Sequence, residues 1–339
     1  MSYYLGIDLH STNCVLGLVD QKGARVFHRK VPNDLAVVLD TLRPFKRRLR
    51  EIGVEATYNW YWLVDGLREA GYTVRLGHPA AFKKYEGLKY ADDVHDAFWL
   101  GEMLRLGILP TAYIYPKEQR MVRDLLRKRA FLVNQRGALQ INLQHTLVNH
   151  GQKKLKSCEM QAVHTDHVTG RLNSHAALAL SAQVSKECID FLTLRIKRIE
   201  RQVEKWLKLE APYQTLLTLP GVGRILAMTL MLETGPISRF AKVGNYVSYC
   251  RKVSSQWLSN SKVKERGNEK NGNPYLAWAF AEAAELARRY DPAVRAYYQR
   301  KAAHKHRMVA HFAVAHKLAR AAYFMLRDQV PYDGCRLFG

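Results

Sequence analysis

The 339-residue chain contains no run of about 18 apolar residues, and its opening Met1-Ser2-Tyr3-Tyr4 has no basic segment ahead of an apolar one. Membrane spanning and secretion are therefore not expected. Cysteine is scarce: Cys14, Cys158, Cys188, Cys250 and Cys335 are odd in number, widely scattered and without a Cys-x-x-Cys pair. That pattern supports neither a disulfide framework nor a zinc ribbon and fits a reducing cytoplasm. Acid is the minority charge, with 30 Asp and Glu against 53 Lys and Arg, a formal net charge of +23. So strong an excess implies a polyanionic partner, because a cationic surface gains by releasing the counterions condensed on nucleic acid. A small acidic substrate would not need so much charge.

The length calls for two or three folded units. Tyr3–Leu9, Cys14–Val19 and Arg25–Val31 are β-prone runs separated by turn residues, His10-Ser11-Thr12-Asn13 and Asp20-Gln21-Lys22-Gly23, which predicts a three-strand meander. A basic helix from Asp34 to Leu49, a buried strand at Val54–Ala56, a helix Tyr61–Ala70 stopped by Gly71 and a strand Tyr72–Leu76 give an α/β sheet with crossovers. Asp92 to Leu106 carries Val94, Ala97, Phe98, Leu100 and Leu104 at helical spacing. Lys117 to Asn149 is rich in helix formers. Ile189, Leu192, Ile196, Ile199, Val203 and Trp206 form a heptad seam, either half of an intramolecular hairpin with Lys117–Asn149 or a dimer contact. The polar stretch Gly151–Ser185 between them is expected to be loop-rich. Beyond Tyr213, Leu219-Pro220-Gly221-Val222-Gly223 has the form of a helix–hairpin–helix turn, in which Gly221 and Gly223 would let backbone N–H groups approach a phosphate. A Ser- and Lys-rich loop from Ser254 to Asn273 and two helical stretches, Pro274–Arg289 and Pro292–Leu326, complete the chain.

The few acids are concentrated where they can act. Asp8 and Glu55 stand at strand ends, and Asp93 and Asp96 are three residues apart on one helix face. Hard oxygen ligands of this kind hold Mg²⁺ or Mn²⁺, which polarises a phosphate and activates an attacking oxygen. Ordinary surface carboxylates are the bland alternative, with Asp20 and Asp92 as bystanders. Gly6-Ile7-Asp8 also opens actin-like ATPases, but no glycine-rich nucleotide loop follows in the stretch from Gly87 to Gly101.

Taken together, the chain resembles the DEDD transposases of bacterial insertion sequences, the family named one-ten. Asp8 matches the first acid of that family's RuvC-like domain. Glu55 in Glu55-Ala56-Thr57-Tyr58-Asn59-Trp60-Tyr61 matches the second, and Asp93 and Asp96 match the closing Asp-x-x-Asp-Ala, here preceded by Ala91-Asp92 in place of the common Lys-Thr. The likeness resumes at Leu219-Pro220-Gly221-Val222-Gly223 and runs through Glu233–Phe240, Tyr249, Gly272-Asn273 and Tyr332-Asp333. It implies a RuvC/RNase H-like catalytic domain over 1–115, a helical coiled-coil region over 116–210 and a mostly α C-terminal transposase domain over 211–339. It further implies a serine nucleophile, for which Ser259 is the best counterpart counting from Tyr249. Cys250-Arg251-Lys252 and Asn260 depart from the family's small residues and glycine there, so Ser261 is a substitute, with Ser254 and Ser255 weaker ones.

A serine needs a base or a metal to become a nucleophile, and a phosphoserine linkage would conserve bond energy for rejoining strands. Lys262, Lys264, Arg266 and Lys270 would clamp phosphate. The final helical stretch sets Arg295, Arg300, Lys301, His304, Lys305, His306, Arg307, Lys317 and Arg320 beside apolar Val309, Phe312, Val314 and Leu318, one face packing and one attracting nucleic acid. Tyr58, Trp60, Tyr61 and Trp62 are available to stack on bases or to pack around the acids. The resemblance implies DNA as substrate, a structured bridge RNA as guide, and a homo-oligomer, dimer or tetramer, in the bacterial cytoplasm at the nucleoid. Two other readings use the same residues: a metal-dependent junction nuclease with water as nucleophile, and a non-catalytic nucleic-acid-binding protein.

Overall fold

The structure is a computed structural model that describes residues 2–79, 92–253, 256–259, 262–266, 271–334 and 337, with the backbone alone for 256–259 and 262–266. The chain is mixed α/β and divides into two compact units, Met1–Lys117 and Glu118–Gly339. No described helix is long and apolar enough to cross a membrane.

The first unit is built on a six-stranded sheet in the order β3-β2-β1-β4-β5-β6. β1 (Tyr3–Leu9), β2 (Asn13–Asp20) and β3 (Arg25–Pro32) form the expected antiparallel meander. Asp20 builds its second turn, Oδ1 accepting from the backbone N–H of Lys22 and Ala24 at 2.8 and 3.0 Å. β4 (Leu49–Glu55) and β5 (Val74–Gly77) then run parallel to β1, and β6 (Thr111–Ala112) closes the edge antiparallel. Helix α1 covers only Leu35–Leu42, not the expected Asp34–Leu49. Pro44 cannot supply the next helical N–H, so the chain tightens into a 3₁₀ turn at Arg43–Phe45, and Leu49 already enters β4. Helix α2 (Tyr61–Glu69) follows β4.

Helix α3 (Asp93–Arg105) packs across β1 and β2 at unusually close range. The register aligns Gly17, Gly6 and Gly53 in one row across β2, β1 and β4. A Cβ at Gly6 would collide with the Ala97 carbonyl oxygen and sit 2.6 Å from the Gly101 nitrogen; one at Gly17 would lie 2.7 Å from the Phe98 nitrogen. The absent side chains let helix backbone rest on sheet backbone. That contact fixes where the first turn of α3 falls.

The second unit opens with α4 (Lys117–Asn149) and contains α7 (Ala176–Leu207), which meet side by side: Arg129 Nε donates to Glu200 Oε1 at 2.7 Å and Arg136 to the Thr193 hydroxyl at 3.1 Å. Ile189, Ile196 and Val203 of the seam are buried, so an intramolecular pairing accounts for it, while Trp206 is half exposed. The stretch expected to be loop-rich is largely helical, with α5 (Ser157–Ala162), α6 (Thr165–Gly170) and the first turns of α7. Leu155, Met160, Val168 and Leu172 are spaced too irregularly to announce one long helix, yet all are buried with Leu143, Leu147, Ala182 and Ile189 in a small core. A larger core gathers α8 (Ala211–Leu217), α9 (Arg224–Thr234), α10 (Val243–Tyr249), α11 (Pro274–Tyr290), α12 (Pro292–Ala302) and α13 (Arg307–Asp328). The expected single helix Pro292–Leu326 is two, separated where His306 caps α13 by accepting from the Met308 N–H at 3.2 Å. The described part of the Ser254–Asn273 loop is an antiparallel hairpin, β7 (Gln256–Ser259) and β8 (Lys262–Arg266), formed where Trp257, Leu258 and Val263 supply β-prone residues.

Candidate active site

The carboxyl ends of two neighbouring parallel strands carry the first two acids. Ile7 pairs with Val54, which brings Asp8 on β1 beside Glu55, the last residue of β4. Asp92 caps α3 by accepting from the His95 N–H at 2.6 Å, so Asp93 and Asp96 fall in the first helical turn, held over the sheet by the glycine row. The four acids are thus close enough to feel one another. Asp8 is 5% exposed, and burial first, then Asp96 and Asp93, push its carboxyl above the usual range against the pull of His10. Burial and the charges of Asp8 and Asp96 raise Glu55, and burial with Asp92 and Asp93 raises Asp96. In Asp8, Glu55 and Asp96 the charged form is thus opposed both by burial and by acidic neighbours, a penalty that a nearby positive charge relieves.

His10, written in sequence as a turn residue, stands in the middle of this cluster. Its Nε2 lies 3.1 Å from Asp8 Oδ2 and 3.3 Å from Asp93 Oδ2, and Lys30 Nζ lies 3.7 Å from the same Asp93 oxygen. Donor atoms of Asp8, His10 and Asp93 all fall within 4.8 Å of one another. One sequence signal could have found it: residues two apart in extended chain face the same way, so His10 follows Asp8 onto its face. The turn is held by two amides, Asn33 Nδ2 and Asn59 Nδ2, which donate to the His10 carbonyl at 3.0 and 2.9 Å. Trp60 and Trp62 pack against the core of the first unit, while Tyr58 is 83% exposed.

The second unit contains the candidate serine. Ser259 is the last residue of β7, its Cα paired with that of Lys262 across the hairpin end; Lys264 and Arg266 continue along β8. The side chains of these residues, and Ser254, Ser255, Ser261 and Lys270 altogether, lie outside the described residues. The two feet of the segment are tied together: the Asn273 N–H donates to the Tyr249 carbonyl at 2.6 Å, and Arg251 donates to the Gly272 carbonyl at 3.0 Å. Beneath them Asn273 Nδ2 donates to Glu233 Oε2 at 2.7 Å, and Arg127 holds both Glu233 oxygens at 2.7 Å. None of Arg127, Glu233 or Asn273 stood out as a linked set in sequence, since about a hundred residues separate the first two. Gly221 has its own packing reason, a Cβ there falling 2.6 Å from the Ala287 nitrogen of α11, whereas Gly223 is open at the N-cap of α9. On α13, Val314 and Leu318 are buried as expected, but Val309 is 54% exposed, the packed face turning instead through Ala310, Ala315, Ala319 and Ala322. His316 meets the Lys252 carbonyl at 2.7 Å, and His311 has its pKa lowered by burial.

Comparison with known proteins points the same way. A family model for DEDD transposases of the IS110 type matches residues 5–151, and the model described as "Transposase IS116/IS110/IS902 family" matches residues 213–299. The "Probable family 20 transposase" of Pseudomonas aeruginosa is 27% identical over 241 residues, 69% of this chain and 71% of the relative. A Sinorhizobium fredii protein, y4qE, named as a transposase, is 24% identical over 245 residues, 71% of this chain and 59% of the relative. The two matched regions mark a transposase. The chain belongs to the IS110 family.

Proposed function

We propose that the chain is a DNA recombinase of an insertion sequence, in which Asp8, Glu55, Asp93 and Asp96 of a RuvC-like domain hold a divalent metal ion and Ser259 is the nucleophile. The observation that carries this reading is the cluster of Asp8, His10 and Asp93 donor atoms within 4.8 Å of one another, with Glu55 and Asp96 near enough for the charges of their acidic neighbours to raise them, in the stretch matched by the DEDD family model. The residues fit such an ion: the donors are hard oxygens, and His10 Nε2 is a buried polar atom without a hydrogen-bond partner. When bound, Mg²⁺ or Mn²⁺ would polarise the phosphate and lower the pKa of the attacking oxygen.

The chain's own residues do the rest. Asp8, fixed by the sheet, and Asp93 and Asp96, fixed by the helix, present their oxygens without paying for rearrangement at the moment of reaction. Ser259 Oγ loses its proton and bonds to phosphorus as the bridging P–O bond to one deoxyribose breaks, freeing a sugar hydroxyl and leaving a phosphoserine. Attack by a hydroxyl of the exchanged strand reverses the linkage, so no nucleotide triphosphate is consumed. Lys262, Lys264, Arg266, Lys270 and the backbone at Gly221 and Gly223 would contact phosphates and position the duplex. A net charge of +23 suits a protein that contacts backbone while a structured bridge RNA supplies sequence choice by pairing, and a dimer or tetramer would bring acids and serine together.

The test is an assay for covalent protein–DNA adducts with wild type, Ser259→Ala, Ser261→Ala and Asp8→Asn. Loss of adduct in Ser259→Ala and Asp8→Asn, with retention in Ser261→Ala, is the expected result. Cleavage without adduct in every protein would mean water is the nucleophile, and the nuclease reading would replace this one.

A further inference from the structure

The imidazole of His10 occupies a position that the four-carboxylate description does not explain. Its backbone is fixed on several sides: the N–H donates to Asn13 O at 2.9 Å, and the carbonyl accepts from Asn33 and Asn59, which follow β3 and β4. The backbone that carries the ring is therefore held in place, not left to drift on a loop. There, Nε2 faces two carboxylate oxygens at 3.1 and 3.3 Å, is shielded from solvent, and makes a proper hydrogen bond to neither. An imidazolium serving only as a counter-charge would be expected to turn its N–H onto one oxygen, since charge-assisted bonds are short and directional. A nitrogen set equidistantly against two oxygens is instead the arrangement of three donors sharing one centre. For an ion bound at about 2.1 Å in octahedral geometry, adjacent donors stand roughly 3 Å apart. The two separations match that edge.

We infer that His10 is a fifth ligand of the metal site, contributing a nitrogen donor beside Asp8 and Asp93, and that it makes the site favour Mn²⁺ and related transition ions over Mg²⁺. This rests on the metal-site reading above and sharpens it. Imidazole nitrogen is a donor that Mg²⁺ accepts reluctantly and that first-row transition ions accept well, so one nitrogen among oxygens acts on preference more than on total charge. The alternative, His10 as a cation that merely neutralises the acids, predicts the opposite response: removing it would leave the acids more negative and bind both ions as tightly or tighter.

The experiment measures Mn²⁺ and Mg²⁺ binding to the full-length protein, with and without a duplex oligonucleotide, by titration calorimetry. Pulsed electron paramagnetic resonance then reads nitrogen coupling on bound Mn²⁺. Wild type, His10→Ala, His10→Gln and Asp8→Asn are compared, with circular dichroism to establish that each is folded. Wild type is expected to show nitrogen coupling, lost in both His10 variants, with Mn²⁺ affinity falling about tenfold or more and Mg²⁺ affinity changing by less than about threefold. Unchanged coupling and an unchanged Mn²⁺ to Mg²⁺ ratio in the His10 variants, with both ions lost in Asp8→Asn, would overturn the role of His10 while leaving the carboxylate site standing. Absence of binding by wild type, or no effect of Asp8→Asn, would overturn the site itself.

Discussion

The two units each bury a carboxylate, and they treat it in opposite ways. Asp8 is 5% exposed among acids that raise its pKa, whereas Glu233 is 3% exposed and gripped by Arg127 and Asn273. Burial works against the charge of Arg127, yet hydrogen bonding and attraction to Glu233 hold its pKa above the ordinary value. One site sets acids against one another; the other has its counter-charge built in. Activity should therefore be concentrated in the first and stability in the second.

The widest separation is expected from Asp8→Asn. Recombination should fall by on the order of a thousandfold, the loss of several kcal/mol of transition-state stabilisation, while metal-free thermal unfolding shows no loss of stability. A variant that unfolds more easily would mean Asp8 is structural after all. Next comes Arg127→Ala, which leaves Glu233 buried without its counter-charge, Asn273 still donating to it, and should cost about 3–5 kcal/mol in denaturant unfolding. A cost below about 1 kcal/mol would show that water reaches the pair freely. Gly6→Ala should cost about 1–3 kcal/mol by forcing α3 off the sheet, and should weaken metal binding as well because Asp93 and Asp96 move with the helix.

The smallest effect is a pH dependence. For Asp8, Glu55 and Asp96 the folded pKa lies above the unfolded one, so the native state binds more protons and these groups subtract stability as pH rises from about 4 through the raised values. Metal-free protein should thus gain stability from Asp8→Asn at pH 7, with the gain shrinking toward pH 4 and disappearing on saturation with Mg²⁺. A gain that grows toward acid pH would reverse the assigned direction of the shifts.

The difference between the units also explains what the sequence disclosed. Strands β1 to β3 were legible because turn residues punctuate them, and Asp93 with Asp96 because helical spacing places them on one face. The glycine row was not, since Gly6, Gly17 and Gly53 become neighbours only through sheet register. His10 was hidden for a related reason: the amides that hold its turn come from 23 and 49 residues away. In the second unit the bond between Arg127 and Glu233 spans 106 residues. Spacing rules reach only across a turn of helix or a pair of strands. Pro44 was a local signal outweighed by the apolar pattern around it, and the helices at Ser157–Ala162 and Thr165–Gly170 are too short for periodicity to declare.

The tie between Tyr249 and Asn273 makes the hairpin bearing Ser259 a stem-closed cassette. With its ends already joined, doubling the number of residues between them adds only about 0.6 kcal/mol of closure entropy. Residues can therefore be added to or removed from the stretch between Tyr249 and Asn273 at almost no entropic penalty from closure, while the ties at its two feet are kept.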